Sequence, residues 1–320
     1  MKPKVSVIIP VYNVEQYIER CAISLFEQTL QDLEYIFIND CTPDRSMDIL
    51  QTVIEKYPKR KKQTVIINQL HNMGAAKARE VGIKAAQGEY IIHCDSDDWV
   101  DREIYETLYN KAYEEQLDMV VCDWYESDGE THQPVIQNLD LNRDMLAGTL
   151  NRSISGSLCN KLIACYIYQS VDFYPIAHMM EDVGYCVQFF HKCHKIGYIN
   201  QPLYYYYSNI SSICNNPEED ACIKRCKQAC ENIDRILQYL QSNDLSEKYS
   251  NQIVTLKNSA RVFLWPLFME NPKKYYKAWS SVYPEINKQY PFTSGISPVL
   301  RLIFALSVLR IYPYIYKMVH

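Results

Sequence analysis

The first 125 residues alternate between short apolar runs and longer segments whose apolar positions recur every three or four residues. Val5-Ser6-Val7-Ile8-Ile9 is a dense β-branched run that stops at Pro10, which predicts a strand. Val14, Tyr17, Ile18, Cys21 and Leu25 then mark one face of a helix. A second strand is predicted from Leu33 to Ile38, ending at Asn39-Asp40, and a helix follows through Met47, Leu50 and Ile54, with Ser46 or Asp44 able to cap it. Val65-Ile66-Ile67 gives a third strand, Ala78, Val81 and Ala85 a third helix ending near Gly88, and Tyr90-Ile91-Ile92 a fourth strand stopping at Asp95. Asp118 to Trp124 reads as a fifth. Repeated strand–helix–strand units need right-handed crossovers, so the pattern predicts an α/β fold with a mainly parallel, doubly wound sheet. Ligands of such sheets bind beyond the carboxyl ends of the strands, where strand order reverses. Pro10 to Asn13, Asn39-Asp40 and Asp95 to Asp98 occupy those ends.

After about residue 126 the rhythm changes. The stretch to about 150 is polar and irregular, and residues 153–215 include Glu181-Asp182 and the aromatic run Tyr204 to Tyr207. Ile223, Ala229, Ile233, Ile236, Leu237 and Leu240 keep helical spacing. The expected organisation is an α/β half over 1–125, a second half over 126–215 and a mostly helical C-terminal region over 216–320. No acidic residue follows Glu285, and the apolar stretch Leu300 to Tyr316 is interrupted by Arg301, Arg310 and Pro313. It is therefore too broken to reach the ~18–20 apolar residues a bilayer span needs. Two readings stand for residues 296–320: a helix lying on a membrane surface, or one packed against the domain or a second copy of the chain.

A net charge of −5 gives no encouragement to nucleic acid binding. The basic run Lys59-Arg60-Lys61-Lys62 is expected to be a solvated loop. Twelve cysteines without paired CxxC spacing, in a chain whose first apolar run lacks a cleavage site, read as reduced thiols in the cytosol. Cys222, Cys226 and Cys230 recur at helical spacing and are read as small buried apolar residues rather than zinc ligands.

Asp95-Ser96-Asp97-Asp98 is the sharpest chemical feature. Three carboxylates within four residues repel one another unless a cation neutralises them. Clustered carboxylate oxygens suit Mg²⁺ or Mn²⁺, which commonly bridge to substrate phosphates. Neither GxGxxG nor GxxxxGK[ST] occurs, so a dinucleotide cofactor or a P-loop is disfavoured. Asp40 could accept hydrogen bonds from a base's N–H edge or serve as a helix cap. Arg79, one turn into the third helix after Asn72-Met73-Gly74, could present its charged fork to the same ligand edge. These residues alone describe a metal-dependent, nucleotide-using α/β enzyme.

Pro10-Val11-Tyr12-Asn13, Asn39-Asp40 with Thr42 and Asp44, Asn72-Met73-Gly74 with Ala78-Arg79 and Gly82, Asp95-Ser96-Asp97-Asp98 and Met179-Met180-Glu181-Asp182-Val183, in this order, closely resemble the family 2 glycosyltransferases of the GT-A fold. The resemblance covers about residues 3 to 215. It implies donor binding by Pro10, Tyr12, Asn13, Asp40, Asn72, Arg79, Asp95 and Ser96, a Mn²⁺ or Mg²⁺ ion on Asp97 and Asp95, and Asp182 as general base. It further implies an inverting transfer from a nucleotide-diphosphate sugar, commonly a UDP-sugar, to a saccharide or lipid-linked saccharide of a cell-surface polymer. Asn39 and Cys41 depart from the usual DDGSTD form, replacing an Asp and a Gly. Two rivals are a metal-dependent nucleotidyltransferase, which should carry a glycine-rich basic loop where this chain has Tyr12-Asn13-Val14-Glu15, and a non-catalytic nucleotide-sugar binder.

Overall fold

The computed structural model describes residues 2–208, 216–289 and 297–319. The last residues of the expected second half, 209–215, and Ile296 and His320 of the terminal segment lie outside the described residues. The chain divides into two compact units: Met1–Met145, Gly156–Tyr174 and Gln188–Asn209 form the first, and Leu146–Ser155, Pro175–Val187 and Ile210–His320 the second.

The first part of the chain runs β1 (Val5–Val11), α1 (Ile18–Phe26), β2 (Leu33–Asn39), α2 (Ser46–Lys56), α3 (Pro58–Lys61), β3 (Thr64–Asn68), α4 (Ala75–Ala85), β4 (Tyr90–His93), β5 (Trp99–Val100), α5 (Ile104–Glu115) and β6 (Met119–Ser127). It continues through β7 (His132–Val135), α6 (Met145–Leu150), β8 (Lys161–Ala164), α7 (Cys165–Gln169), α8 (Glu181–Lys192) and β9 (Ile196–Tyr207). The strands form one sheet in the order β3-β2-β1-β4-β8-β6-β9-β5, with β7 added to β6. The first four are parallel, β8 is antiparallel to both its neighbours, and β6 and β9 are parallel to each other. Because β2 lies on one side of β1 and β4 on the other, strand order reverses at β1. The crevice that such a reversal opens lies beyond the ends of β1 and β4.

Both faces of β1 and β2 are covered, which is why they read as continuous apolar runs rather than alternating ones. Val5, Val7 and Ile9 pack with Cys21, Ala22 and Leu25 of α1 and with Leu50 and Val53 of α2. On the other face α4 lies so close that a Cβ on Gly82 would stand 2.5 Å from Ile8 Cγ2 and 2.8 Å from Ile38 Cδ1. Gly82 thus admits the helix that carries Arg79, at the usual helical cost of a glycine.

The stretch 126–150 is not wholly irregular: β7 pairs antiparallel with the end of β6, Ser127 opposite His132 and Trp124 opposite Val135. Its residues are mostly exposed, so no apolar alternation announced it. The basic run is also not simply solvated, because Arg60 is buried. Its guanidinium donates to the carbonyls of Phe26 (3.1 Å), Leu30 (2.9 Å), Gln31 (3.1 Å) and Gln28, and to Gln63 Oε1 (2.9 Å). One side chain thereby satisfies the connection between α1 and β2. Arg60→Ala is expected to lower unfolding free energy by about 3–4 kcal/mol, since several buried carbonyls lose their donor together. Arg60→Lys should recover less than half, because an ammonium cannot reproduce the planar fork. An unchanged urea midpoint for Arg60→Ala would refute the role.

The later helices are α9 (Glu219–Ser242), α10 (Ser250–Val262), α11 (Trp265–Glu270), α12 (Pro272–Ser281), α13 (Ile286–Gln289), α14 (Pro298–Val308) and α15 (Tyr312–Val319). They enclose a separate apolar cluster in which Cys222 and Cys226 pack with Leu267, Phe268, Trp279 and Phe304. The rings of Phe268 and Trp279 stack at 5.0 Å.

Candidate active site

The carboxyl ends of β1, β2 and β4 are joined by a lattice of short polar contacts. The Asp44 carboxylate accepts from the Thr42 hydroxyl (2.7 Å), the Ser46 hydroxyl (2.6 Å) and amide (3.1 Å), and the Glu15 amide (2.9 Å). Burial would raise its pKa, but these donors more than offset burial and the pKa is lowered. Thr42 Oγ1 accepts from the Asn13 amide at 2.8 Å, and the Ser46 hydroxyl from the Val14 amide at 3.0 Å. The loop after β1, with Tyr12 exposed and Asn13 at φ 56°, is therefore held by the loop after β2.

Asp40 is buried, and it is committed to the loop that opens α4. Its Oδ1 accepts from the Met73 amide (2.7 Å) and Gln69 Nε2 (2.8 Å), and its Oδ2 from the Gly74 amide (2.8 Å). Gly74 takes φ 86°, which glycine adopts without penalty, and α4 starts at the next residue. Asn72 lies exposed in this loop. Asn39 bridges Asn68 Oδ1 (2.8 Å) and the Thr42 amide (2.9 Å), so the amide standing where the resembled pattern has an acid joins β2 to β3. Cys41, where that pattern has glycine, takes φ 56° and is exposed. The left-handed conformation costs a side-chain-bearing residue about 1 kcal/mol. Cys41→Gly is accordingly expected to raise stability by about 0.5 kcal/mol at most, after the glycine's added unfolded-state entropy is subtracted. A thermal midpoint that falls would show that the thiol contributes more than the strain costs.

Asp95, Ser96, Asp97 and Asp98, which follow Cys94 beyond the end of β4, have four different surroundings. Asp95 forms an ion pair with Arg79, whose own side chain is nearly buried. Ser96 is buried. Asp98 is fully buried, accepting from the Tyr204 hydroxyl and, at 2.7 Å, from the Tyr207 amide. Burial carries its carboxyl well above the ordinary range, with Asp97 and Asp95 adding to the rise. Asp98 is therefore an anchor for β9 and not the cap of α5, which begins only at Ile104. Asp97 is half-buried, and the donor acting on its carboxyl is its own backbone amide. Burial, then the charge of Asp95, pushes that carboxyl up to about 6.

These groups fit a hard divalent cation. Among the described residues no three His, Cys, Asp or Glu side chains gather to hold an ion by themselves. Mg²⁺-like ions are commonly bound through one or two carboxylates, with phosphate and water completing the shell. Asp97 and the Asp95 oxygen not paired with Arg79 offer that partial set, and a cation would relieve the repulsion between them.

Sequence reading did not find Arg20. It donates to the Asp97 carbonyl at 2.9 Å, and its guanidinium lies 3.7 Å over the Trp99 ring and 4.9 Å over that of Tyr207. Trp99 stacks on Tyr205 at 5.2 Å, and Tyr205 stacks on Tyr125 at 4.8 Å. Both faces of Tyr205 are thus occupied by protein and Tyr204 is buried, so of the aromatic run Tyr206 is the exposed member. The Tyr204 hydroxyl accepts from the Asp95 amide at 3.1 Å as well as donating to Asp98, fixing both ends of the acidic turn. Trp99, adjoining the four-residue acidic turn, was the available signal; Arg20 had none.

Pro10, Tyr12, Asn13, Asp40, Asn72, Arg79, Asp95, Ser96 and Asp97 all lie in the first unit, at strand ends or at the start of α4. Asp182 belongs to the second unit, in the first turn of α8. There its Oδ1 accepts from the Val183 amide at 2.8 Å, while Glu181 is buried and pairs with His178 at 4.0 Å.

Residues 6–165 match the model of Glycosyl transferase family 2. The chain is 33% identical over 232 residues, 69% of its length and 66% of the relative's, to the uncharacterized glycosyltransferase EpsJ of Bacillus subtilis. It is 29% identical over 265 residues to the putative glycosyltransferase EpsH of the same organism, covering 79% of this chain and 74% of EpsH. Among solved structures, S. aureus TarS 1-349 in complex with UDP-GlcNAc superposes with a TM-score of 0.72 at 19% identity, over 98% of this chain and 90% of that one. The mannosyltransferase PcManGT of Pyrobaculum calidifontis, in complex with GDP-Man and Mn2+, gives 0.60 at 12% identity, over 99% and 88%. The architecture is accordingly the GT-A fold with a helical C-terminal region, and the chain belongs to glycosyl transferase family 2.

Proposed function

We propose that the protein is a cytoplasmic, metal-dependent, inverting glycosyltransferase that moves a sugar from a UDP-sugar to a hydroxyl of a saccharide or lipid-linked saccharide in a cell-surface polysaccharide. The observation that carries this reading is the pair Asp95 and Asp97 just beyond β4, one paired with Arg79 and the other, among the described residues, given its hydrogen bond by its own backbone amide. Solved relatives in fold are described with UDP-GlcNAc, UDP and GDP-Man with Mn2+, which supports a nucleotide-sugar donor and a divalent ion.

In this reading Tyr12, Asn13 and the loop tied to Asp40 receive the nucleoside, and Arg79 stands by the phosphates. A bound Mn²⁺ or Mg²⁺ supplies Lewis-acid stabilisation of the departing diphosphate. Asp182 Oδ2 takes the acceptor hydroxyl's proton while Oδ1 stays bonded to the Val183 amide. A single displacement on the face opposite the leaving group inverts the anomeric carbon. The nucleotidyltransferase alternative lacks support, because Tyr12-Asn13-Val14-Glu15 follows β1 where a glycine-rich basic loop would be needed.

The test is calorimetric titration of UDP into the purified protein with Mn²⁺ and again with EDTA. Binding that collapses on chelation is the expected result. Equal affinity in both conditions overturns the metal-bridged site, and absence of binding to UDP, GDP, dTDP and CDP alike overturns the enzyme reading.

A further inference from the structure

We infer that α14 and α15 form a docking surface for an anionic lipid bilayer, lying in the interface without crossing it. The inward side of α14 is accounted for: Phe304 is buried with its ring 5.6 Å from that of Trp279, and Ser307 is buried beside it. Tyr312 of α15 rests on Trp265 at 5.6 Å. The opposite side is apolar and uncovered. Leu302 is 59% exposed, Leu309 64% and Met318 86%, with Val299, Leu300 and Ile315 exposed among them. An apolar stripe of this kind on a soluble domain marks an interaction site.

Three features favour a membrane over another protein or a second copy. No Asp or Glu follows Glu285, whereas Lys288, Arg301, Arg310 and Lys317 do, so two copies of the segment would bring like charges together. Two of the cations are held beside the apolar stripe: Arg310 lies 4.0 Å over the Tyr276 ring, and Lys317 donates to the Glu270 carbonyl at 3.0 Å. Tyr314 and Tyr316, both exposed, suit the headgroup level, where rings with one polar end concentrate. The helices are also short. Among the described residues no single helix is long and apolar enough to cross a membrane; α14 and α15 reach that length only together, and they bend by 112° at their break, which suits lying along an interface better than a straight span. Short amphipathic helices with a basic complement lie in the interface plane, and anionic lipid adds to their affinity. This inference stands on the second unit and does not depend on the donor-site reading.

The test is flotation of the full chain with vesicles of phosphatidylcholine alone and with about 30% phosphatidylglycerol, a level giving appreciable surface charge. Partition to the anionic vesicles should be at least ~10-fold stronger and should weaken as salt rises from about 0.05 to about 0.5 M. Leu302→Ser/Leu309→Ser/Met318→Ser, all at exposed positions, should lower it at least ~10-fold with an unchanged melting temperature and unchanged UDP affinity. Absence of flotation by the unaltered chain overturns the inference, independently of how the variant folds. So does equal, salt-insensitive binding to both vesicles. Lipid-free self-association that the triple variant abolishes would assign the surface to a second copy instead.

Discussion

Asp182→Asn lowers the rate of sugar transfer by about 10²- to 10⁴-fold, the usual worth of a positioned general base, while leaving UDP affinity within about two-fold. The substitution is nearly isosteric, and the amide oxygen can still accept from the Val183 N–H that now bonds Oδ1 at 2.8 Å. What disappears is the basic oxygen. A carboxylate in the first turn of α8 also favours the helix dipole, so the variant loses some stability, less than about 1 kcal/mol, too little to unfold it. Glu181 is no substitute, since it is buried and pairs with His178. Glu181→Gln should therefore act on stability and keep transfer within about ten-fold of the parent, well short of the loss that removing a general base causes. Single-turnover transfer and UDP titration of both variants separate the roles. A rate loss that follows Glu181 rather than Asp182, or a UDP affinity that falls in step with the rate, sinks the base assignment.

The parallel half of the sheet was legible chiefly because β1 and β2 are covered on both faces, so their apolar runs carry no ambiguity about direction of burial, and β3, though partly exposed, keeps a short β-branched run. The acidic turn after β4 was legible for a related reason: four polar residues just beyond a buried apolar run have to lie at its carboxyl end. Which aspartate does what was not legible. Asp97 and Asp98 are neighbours of identical chemistry, and their fates are decided by Tyr204 and Tyr207, more than a hundred residues later in β9. Arg60 misled for the same reason. Its partners are carbonyls about thirty residues earlier, and a carbonyl's need for a donor leaves no mark on side-chain pattern. The Arg20–Trp99–Tyr205–Tyr125 stack likewise joins α1, β5, β9 and β6, four segments whose adjacency is a property of the sheet order. Asp40 was legible as a strand-end carboxylate, and three donors from the β3–α4 connection show that it holds the Gly74 turn in place. Its substitution would disturb Arg79 as well as any contact to a base.

Asp97→Asn should separate stability from function in opposite directions. In the ion-free protein the Asp97 carboxyl is pushed from 3.8 to about 6 by burial and by Asp95. A raised carboxyl pKa means that the folded state holds the proton more tightly than the unfolded chain does. The contribution therefore favours folding at low pH and is lost as pH rises from about 4 through about 6. Above that range the ionised group opposes folding, by about 1–2 kcal/mol once partial exposure is allowed for. Asn removes the charge and keeps the shape, so the ion-free variant should be about 1–2 kcal/mol more stable than the parent at pH 7.5, with the difference shrinking as pH falls and vanishing only below about pH 3. Mn²⁺ should raise the parent's melting temperature and leave the variant's almost unchanged, because a ligand stabilises only the state that binds it. Transfer activity should fall at least ~10³-fold, and UDP should bind the variant equally with Mn²⁺ and with EDTA. A variant that is less stable than the parent at pH 7.5 and still responds to Mn²⁺ would move the ion to another set of ligands. Greater stability together with lost activity is the combination expected of a charge kept in place for its ligand, since Arg79, paired with Asp95, and Arg20 offset only part of the burial and repulsion that raise the Asp97 carboxyl.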